Sequence, residues 1–192
     1  MSILASINLV YIMTPLVMVV LAAVYIFAKR KREKDRGQLL EQFRKANFTG
    51  EDDLAWYIAH DIMGASGYPD CVVYTVDQTD RVCRQIAAFG PKNPDKMSIL
   101  NPINIPFARG IVGQVAMSGK AERIDDTTKD PRYVPDDDIR YSELTVPVLI
   151  NGKSAMVIDS EHKSLSWFKE TDMIFVQQAA EIAAAKLESF RK

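Results

Sequence analysis

The first 28 residues contain no charged side chain, so all 49 Lys, Arg, Asp and Glu residues of this 192-residue chain lie beyond them. Cysteine is almost missing. The two that occur, Cys71 and Cys83, are too few for a disulfide scaffold in a chain of this length and fit a reducing compartment. Two histidines leave little material for a histidine-based metal site, and no cofactor is expected. Residues 29–48 hold eight Lys+Arg against three Asp+Glu, net +5, which leaves 16 against 22, net −6, for everything from Thr49 onward. An acidic body of this kind lacks the basic footprint that phosphate neutralisation requires, so nucleic acid is excluded as a partner. Phosphate-loop patterns are absent too: there is neither G-x-x-x-x-G-K-[ST] nor a complete G-x-G-x-x-G.

What is present begins with Leu9–Ala28, LVYIMTPLVMVVLAAVYIFA, about the 20 apolar residues that a helix needs to cross a bilayer. Pro15 near its start is tolerated in such a helix, and Tyr11 and Tyr25 stand near its ends. A cleaved signal would carry basic residues before the apolar run, and residues 1–8 carry none. The basic cluster follows instead, at Lys29, Arg30, Lys31 and Arg32. The expectation is a short outer tail (1–8), a membrane helix (9–28) with the bilayer as partner, and Lys29–Arg32 at the inner interface. Residues 29–48 then form a basic helical connector, with Leu39, Leu40, Phe43 and Ala46 at helical spacing. The location implied is the cell (inner) membrane, single-pass, with the C-terminal domain in the cytoplasm. The basic run also suits anionic lipid head groups, although topology alone accounts for it.

From Thr49 to Lys192 the pattern is that of a soluble α+β domain. Thr49-Gly-Glu-Asp52 resembles a capping box that opens a helix carrying Leu54, Ile58, Ile62 and Ala65. Cys71–Val76 and Val82–Ala88 flank a polar turn and read as a hairpin. A turn centred near Asp77 would set Cys71 opposite Cys83, either as a redox pair or as two small apolar side chains in a sheet. Gly110 and Gly113 precede a short helical pattern and suit tight packing at a helix start. A second hairpin, Leu144–Ile150 with Ser154–Asp159, turns at Asn151-Gly152, and a helix from Thr171 to Arg191 closes the chain.

Five blocks in order resemble the GAF domain: Ile105–Ala116; Ile124-Asp-Asp with Asp130–Tyr133; Tyr141–Val148; Val157–Glu161; and Phe168 before the last helix. The resemblance covers about Thr49 to Phe190. It implies an antiparallel sheet of six or so strands, helices on one side and a loop-covered pocket on the other, serving ligand sensing or dimerisation. Within the family, free methionine-R-sulfoxide reductases need a cysteine in the block that reads Gly110-Ile-Val-Gly113 here. Val112 stands in its place, so the resemblance implies that this activity is absent and that the chain is no enzyme. The bilin and cyclic-nucleotide signatures do not assemble from these residues.

By motif, Glu143, Asp159 and Glu161 match the positions that hold an amino group in the reductase-like branch. Three carboxylates around one site would stabilise a cation, which points to a small amine-bearing ligand. The alternative is structural: Glu143 and Asp159 pair with Arg109, Arg132 or Arg140, or make turn hydrogen bonds. Tyr74, Phe107, Tyr133 and Tyr141 are the aromatic candidates for the pocket wall. Asp136–Asp138 lack the spacing of a calcium loop. Two functions stay open, both without an output domain: a membrane-anchored sensor that acts on a membrane or cytoplasmic protein partner or as a homodimer, and an accessory subunit whose GAF fold has lost its ligand. Thiol redox at the two cysteines is a third.

Overall fold

The computed structural model describes residues 2–90, 99, 102–135 and 138–190, with side chains described from residue 17. The chain divides into two compact units, Met1–Gln38 and Leu39–Lys192, and helix α1 (Ser2–Lys45) is assigned across both. In the first unit, Val17, Met18, Val19, Val20, Leu21, Val24, Tyr25, Ile26 and Phe27 are all exposed, so apolar side chains project on every side of the helix. Among the described residues no helix is long and apolar enough to cross a membrane. The first eight residues of the expected span, 9–16, lie outside those whose side chains are described, Tyr11 and Pro15 among them. Lys29, Arg30, Lys31 and Arg32 are exposed on the same helix.

The second unit is built on a six-stranded antiparallel sheet with order β3-β2-β1-β6-β5-β4. Its strands are β1 (Cys71–Asp77), β2 (Val82–Phe89), β3 (Asn104–Pro106), β4 (Glu122–Ile124), β5 (Ser142–Ile150) and β6 (Lys153–His162). Side chains alternate across a strand, and here the alternation separates two cores. Cys71 and Val73 of β1, Leu144, Val146 and Val148 of β5, and Met156 and Ile158 of β6 pack in one core with three helical segments: α2 (Glu51–Tyr57), the π-helix Ile58–Gly64 that continues it, and α4 (Glu170–Phe190). The intervening residues Tyr74, Val76 and Val157 turn to the other face and meet helix α3 (Gly110–Ser118). Helices therefore cover both faces, where the family resemblance implies helices on one side and loop on the other.

Local chemistry sets several element ends. The two-residue turn between β5 and β6 has Asn151 at φ 51° and Gly152 at φ 74°, the left-handed pair that a type I′ hairpin demands. At the start of α2 the capping runs one residue later than the motif suggests. Gly50 is the cap residue, and the backbone N–H and hydroxyl of Thr49 both donate to Asp53 Oδ2, at 2.9 and 3.1 Å. Helix α4 uses the reciprocal half of a capping box: the Lys169 N–H donates to Asp172 Oδ2 at 2.7 Å. Asp172 is buried there and accepts a second bond from the Tyr68 hydroxyl.

The cysteine pairing is corrected by the register. Cys71 lies opposite Phe89, whereas Cys83 lies opposite Val76. The turn sits later than Asp77, because the Asp77 carboxylate accepts from the N–H groups of Thr79 and Asp80 and so draws residues 78–81 into the loop. The two thiols also occupy the two different cores. Both are free, and burial raises both, Cys83 to about 12.

Candidate functional site

The face of the sheet that carries α3 also carries the acidic residues, and strand register explains why they meet. Glu143 is directly opposite Glu161 across β5 and β6, and Thr145 is opposite Asp159. Period-two alternation places Glu143 and Thr145 on one face of β5, and the same face of β6 presents Val157, Asp159 and Glu161. Like charges set opposite one another in a sheet are destabilising, so this arrangement costs the fold stability. Strand β1 adds Tyr74 beside Val157 on the same face.

A cavity of about 220 Å³ opens above them. Its floor is Tyr74, Glu143, Asp159 and Glu161, one wall is Arg109 with the first turn of α3 (Gly110, Ile111 and Val112), and another is Tyr133, Val134 and Pro135. Ile103, Asn104 and Ile105 complete the lining. The α3 wall is held close to the sheet edge by backbone geometry. Gly110 adopts φ 66°, and a Cβ on Gly113 would stand 2.4 Å from the Pro106 carbonyl oxygen, so only glycine fits. Gly113 therefore serves tight packing, as expected, whereas Gly110, with open space where a Cβ would stand, serves the left-handed backbone turn.

Glu143 is 4% exposed. Burial raises its carboxyl well above the usual range, and the neighbouring charges of Asp159 and Glu161 push it in the same direction. The Thr145 hydroxyl lies 3.0 Å from Glu143 Oε1 and 2.7 Å from Asp159 Oδ1 and so stands between the two carboxyls. Tyr133 ties the loop to the floor: its hydroxyl accepts from the Arg140 N–H at 3.0 Å and bonds to Glu161, and burial raises its pKa.

Two of the three arginines that could serve these acids structurally have carboxylate partners elsewhere. Arg132 is held by Glu122 at 2.6 Å and Asp130 at 2.7 Å. Arg140, itself buried, pairs with Asp70 and Asp138 at 3.6 and 3.7 Å. The charges acting on Glu143 are all negative. Arg109 reaches the cavity wall without an ion pair to Glu143.

Of the seven ligand candidates, Tyr74, Tyr133, Glu143, Asp159 and Glu161 line the cavity. Phe107 and Tyr141 do not. Phe107 packs in the α3-side core with the Arg81 guanidinium 5.0 Å from its ring, and Tyr141 is 40% exposed. Val134, Pro135 and Arg109 were not expected in the lining; their membership depends on how loops close over the sheet, which no local pattern encodes. Asp136 and Asp137 lie outside the described residues, and Asp138 is paired with Arg140 and Lys163. Among the described residues no group of three His, Cys, Asp or Glu side chains is arranged to hold a metal ion.

Protein YtsP of Bacillus subtilis (strain 168) is 32% identical over 97 residues, which are 47% of this chain and 60% of that protein. The matched part thus spans less than two thirds of its relative. Among solved structures, the GAF domain of a phosphoenolpyruvate-protein phosphotransferase from Coxiella burnetii superposes with a TM-score of 0.70 at 16% identity, over 82% of this chain and 95% of that one. The free methionine-R-sulfoxide reductase of Neisseria meningitidis, solved with its substrate, gives 0.68 at 23% identity, over 83% and 90%. Identities this low establish shared fold and no more. The GAF domain family model matches residues 49–188, nearly three quarters of the sequence, and the chain belongs to the GAF domain family.

Proposed function

We propose that this GAF domain is a sensor for a small molecule bearing an ammonium group, held over Glu143, Asp159 and Glu161. One observation carries the reading: three carboxylates converge on a cavity, and the deepest of them, Glu143, experiences only negative charge from its neighbours. A buried carboxylate without a countercharge is costly, and an ammonium ion donating to two or three of these oxygens supplies one. The apolar wall of Ile105, Ile111 and Val134 suits a hydrocarbon substituent on the same molecule. A charged cavity also favours sensing over the accessory-subunit reading, in which apolar side chains would fill the space.

The reading is non-enzymatic. Val112 lines the cavity where the reductase resemblance calls for a cysteine, and both thiols are buried with raised pKa values, which suppresses thiolate chemistry. Occupancy is passed to a membrane or soluble protein partner, or to a second copy of the chain.

Membrane anchoring through residues 9–28 belongs to the same proposal. Its supports are the charge-free sequence, the exposed apolar side chains from Val17 to Phe27, and the basic residues Lys29–Arg32 after them. Alkaline carbonate extraction of cell membranes tests this: retention in the pellet, lost when residues 1–28 are deleted, is expected. Release of the full chain by carbonate would refute anchoring. The ligand reading is tested by calorimetric titration with primary amines and amino acids, where binding that falls at least tenfold in Asp159→Asn is expected.

A further inference from the structure

The Thr145 hydroxyl touches two carboxyl groups, at 2.7 Å to Asp159 and 3.0 Å to Glu143, yet it has one proton to give. Both carboxyls also share one face of the sheet with Glu161, which lies directly opposite Glu143. One additional proton resolves both contacts: Thr145 donates to Asp159, and Glu143, protonated, donates to its neighbour. We propose that the unliganded pocket holds one proton shared between Glu143 and Asp159, and that a cationic ligand binds by displacing that proton to solvent. The proposal rests on the amine reading above and adds its regulation: the site is read out jointly with pH. On binding, Glu143–COOH with Asp159–COO⁻ and R–NH₃⁺ becomes two carboxylates around R–NH₃⁺ plus one H⁺ in solution, so charge and atoms balance.

Groups facing the pair come from every element around it. Glu161 on β6 lies opposite Glu143, Tyr74 projects from β1, Tyr133 hangs from the loop, and Arg109 stands before α3. Beneath the sheet Cys71 feels Asp159, but burial keeps the thiol neutral, as it keeps Tyr133 neutral. His162 follows Glu161 in sequence but stacks on Trp167, 4.4 Å between ring centroids, away from the cavity side of β6. Arginine and alkyl ammonium groups stay charged near neutral pH.

The test uses the full chain with n-butylammonium, L-methionine and L-methionine sulfoxide as probes. Carbon-13 NMR of glutamate-labelled protein without probe is expected to show the Glu143 carboxyl titrating above the other glutamates, and its midpoint lowered in Asp159→Asn while burial and Glu161 still hold it raised. Titration calorimetry in buffers of different ionisation enthalpy is expected to show one proton released per probe bound, with affinity rising about tenfold per pH unit over the range in which the unliganded pair holds its proton. Glu143→Gln, which carries no exchangeable carboxyl proton, removes that slope while its melting curve verifies folding. A probe that binds with a flat pH profile overturns the proton exchange and leaves the amine site standing. Absence of binding by all three probes at every pH overturns both. A Glu143 resonance that titrates with the other glutamates overturns the shared proton directly.

Discussion

Replacing Glu143 by glutamine is expected to stabilise the domain near neutral pH, with a gain that shrinks as the solution is acidified. The carboxyl is 4% exposed, faces Asp159 and Glu161, and has its pKa raised by burial and by those charges. An acid whose folded pKa lies above its unfolded value, about 4.3 for glutamate, holds its proton more tightly when folded. Its contribution to stability is fully present below the unfolded pKa. It is lost at about 1.4 kcal/mol per pH unit as pH rises through the window up to the folded value, and stays lost above it. Glutamine has the same shape, carries no charge, and can donate its amide N–H where the protonated acid donates. Across two pH units inside the window the difference between variant and parent grows by about 2.7 kcal/mol, or roughly 5–10 °C in Tm for a chain of this size. Urea denaturation at pH 5, 6 and 7 measures it; groups remote from the cavity cancel in the difference, while Asp159 and Glu161, which act on Glu143, contribute to it. A variant less stable than the parent at pH 7, or a difference constant with pH, would refute the reasoning: Glu143 would then be ionised and well solvated or paired.

Three further outcomes follow from the packing. Gly113→Ala forces a Cβ to within 2.4 Å of the Pro106 carbonyl oxygen, and should cost about 2–3 kcal/mol in chemical denaturation while displacing the α3 wall of the cavity. Asp172→Ala removes the acceptor for both the Lys169 N–H and the Tyr68 hydroxyl in a buried setting, a loss of about 2 kcal/mol in the same assay. With Cys83 pushed up to about 12 and buried, its thiolate fraction near pH 8 is roughly a thousandfold below that of a free cysteine, so iodoacetamide should label neither thiol until the protein is unfolded; mass spectrometry counts the labels.

How far the fold could be read from sequence depended on whether the deciding contact was local. Asn151-Gly152 specifies its turn because both residues tolerate positive φ, but the register shifts by one residue between Val148 and Leu149, and this shift is what sets Glu143 opposite Glu161 and not Ser160. The acidic trio was legible in two short motif blocks; its cross-strand pairing was not. The first hairpin was less so. Its turn position hangs on the Asp77 carboxylate, and the register shifts at Val73/Tyr74, so the expected facing of Cys71 and Cys83 does not occur. Phe107 and Tyr141 show the same limit, since an aromatic next to the correct motif can turn into the core or into solvent. The links from Arg140 to Asp70 and to Tyr133, which brace the loop over the cavity, join distant chain segments and leave no periodic trace.

Ligand recognition by the acidic floor is tested most directly by calorimetric titration of the full chain with a panel of amino acids and primary amines, parent beside Asp159→Asn. Binding of an ammonium-bearing compound by the parent, lost in the variant while matched uncharged analogues bind neither, is the predicted result. Equal binding of charged and uncharged analogues, or binding untouched by Asp159→Asn, would contradict it.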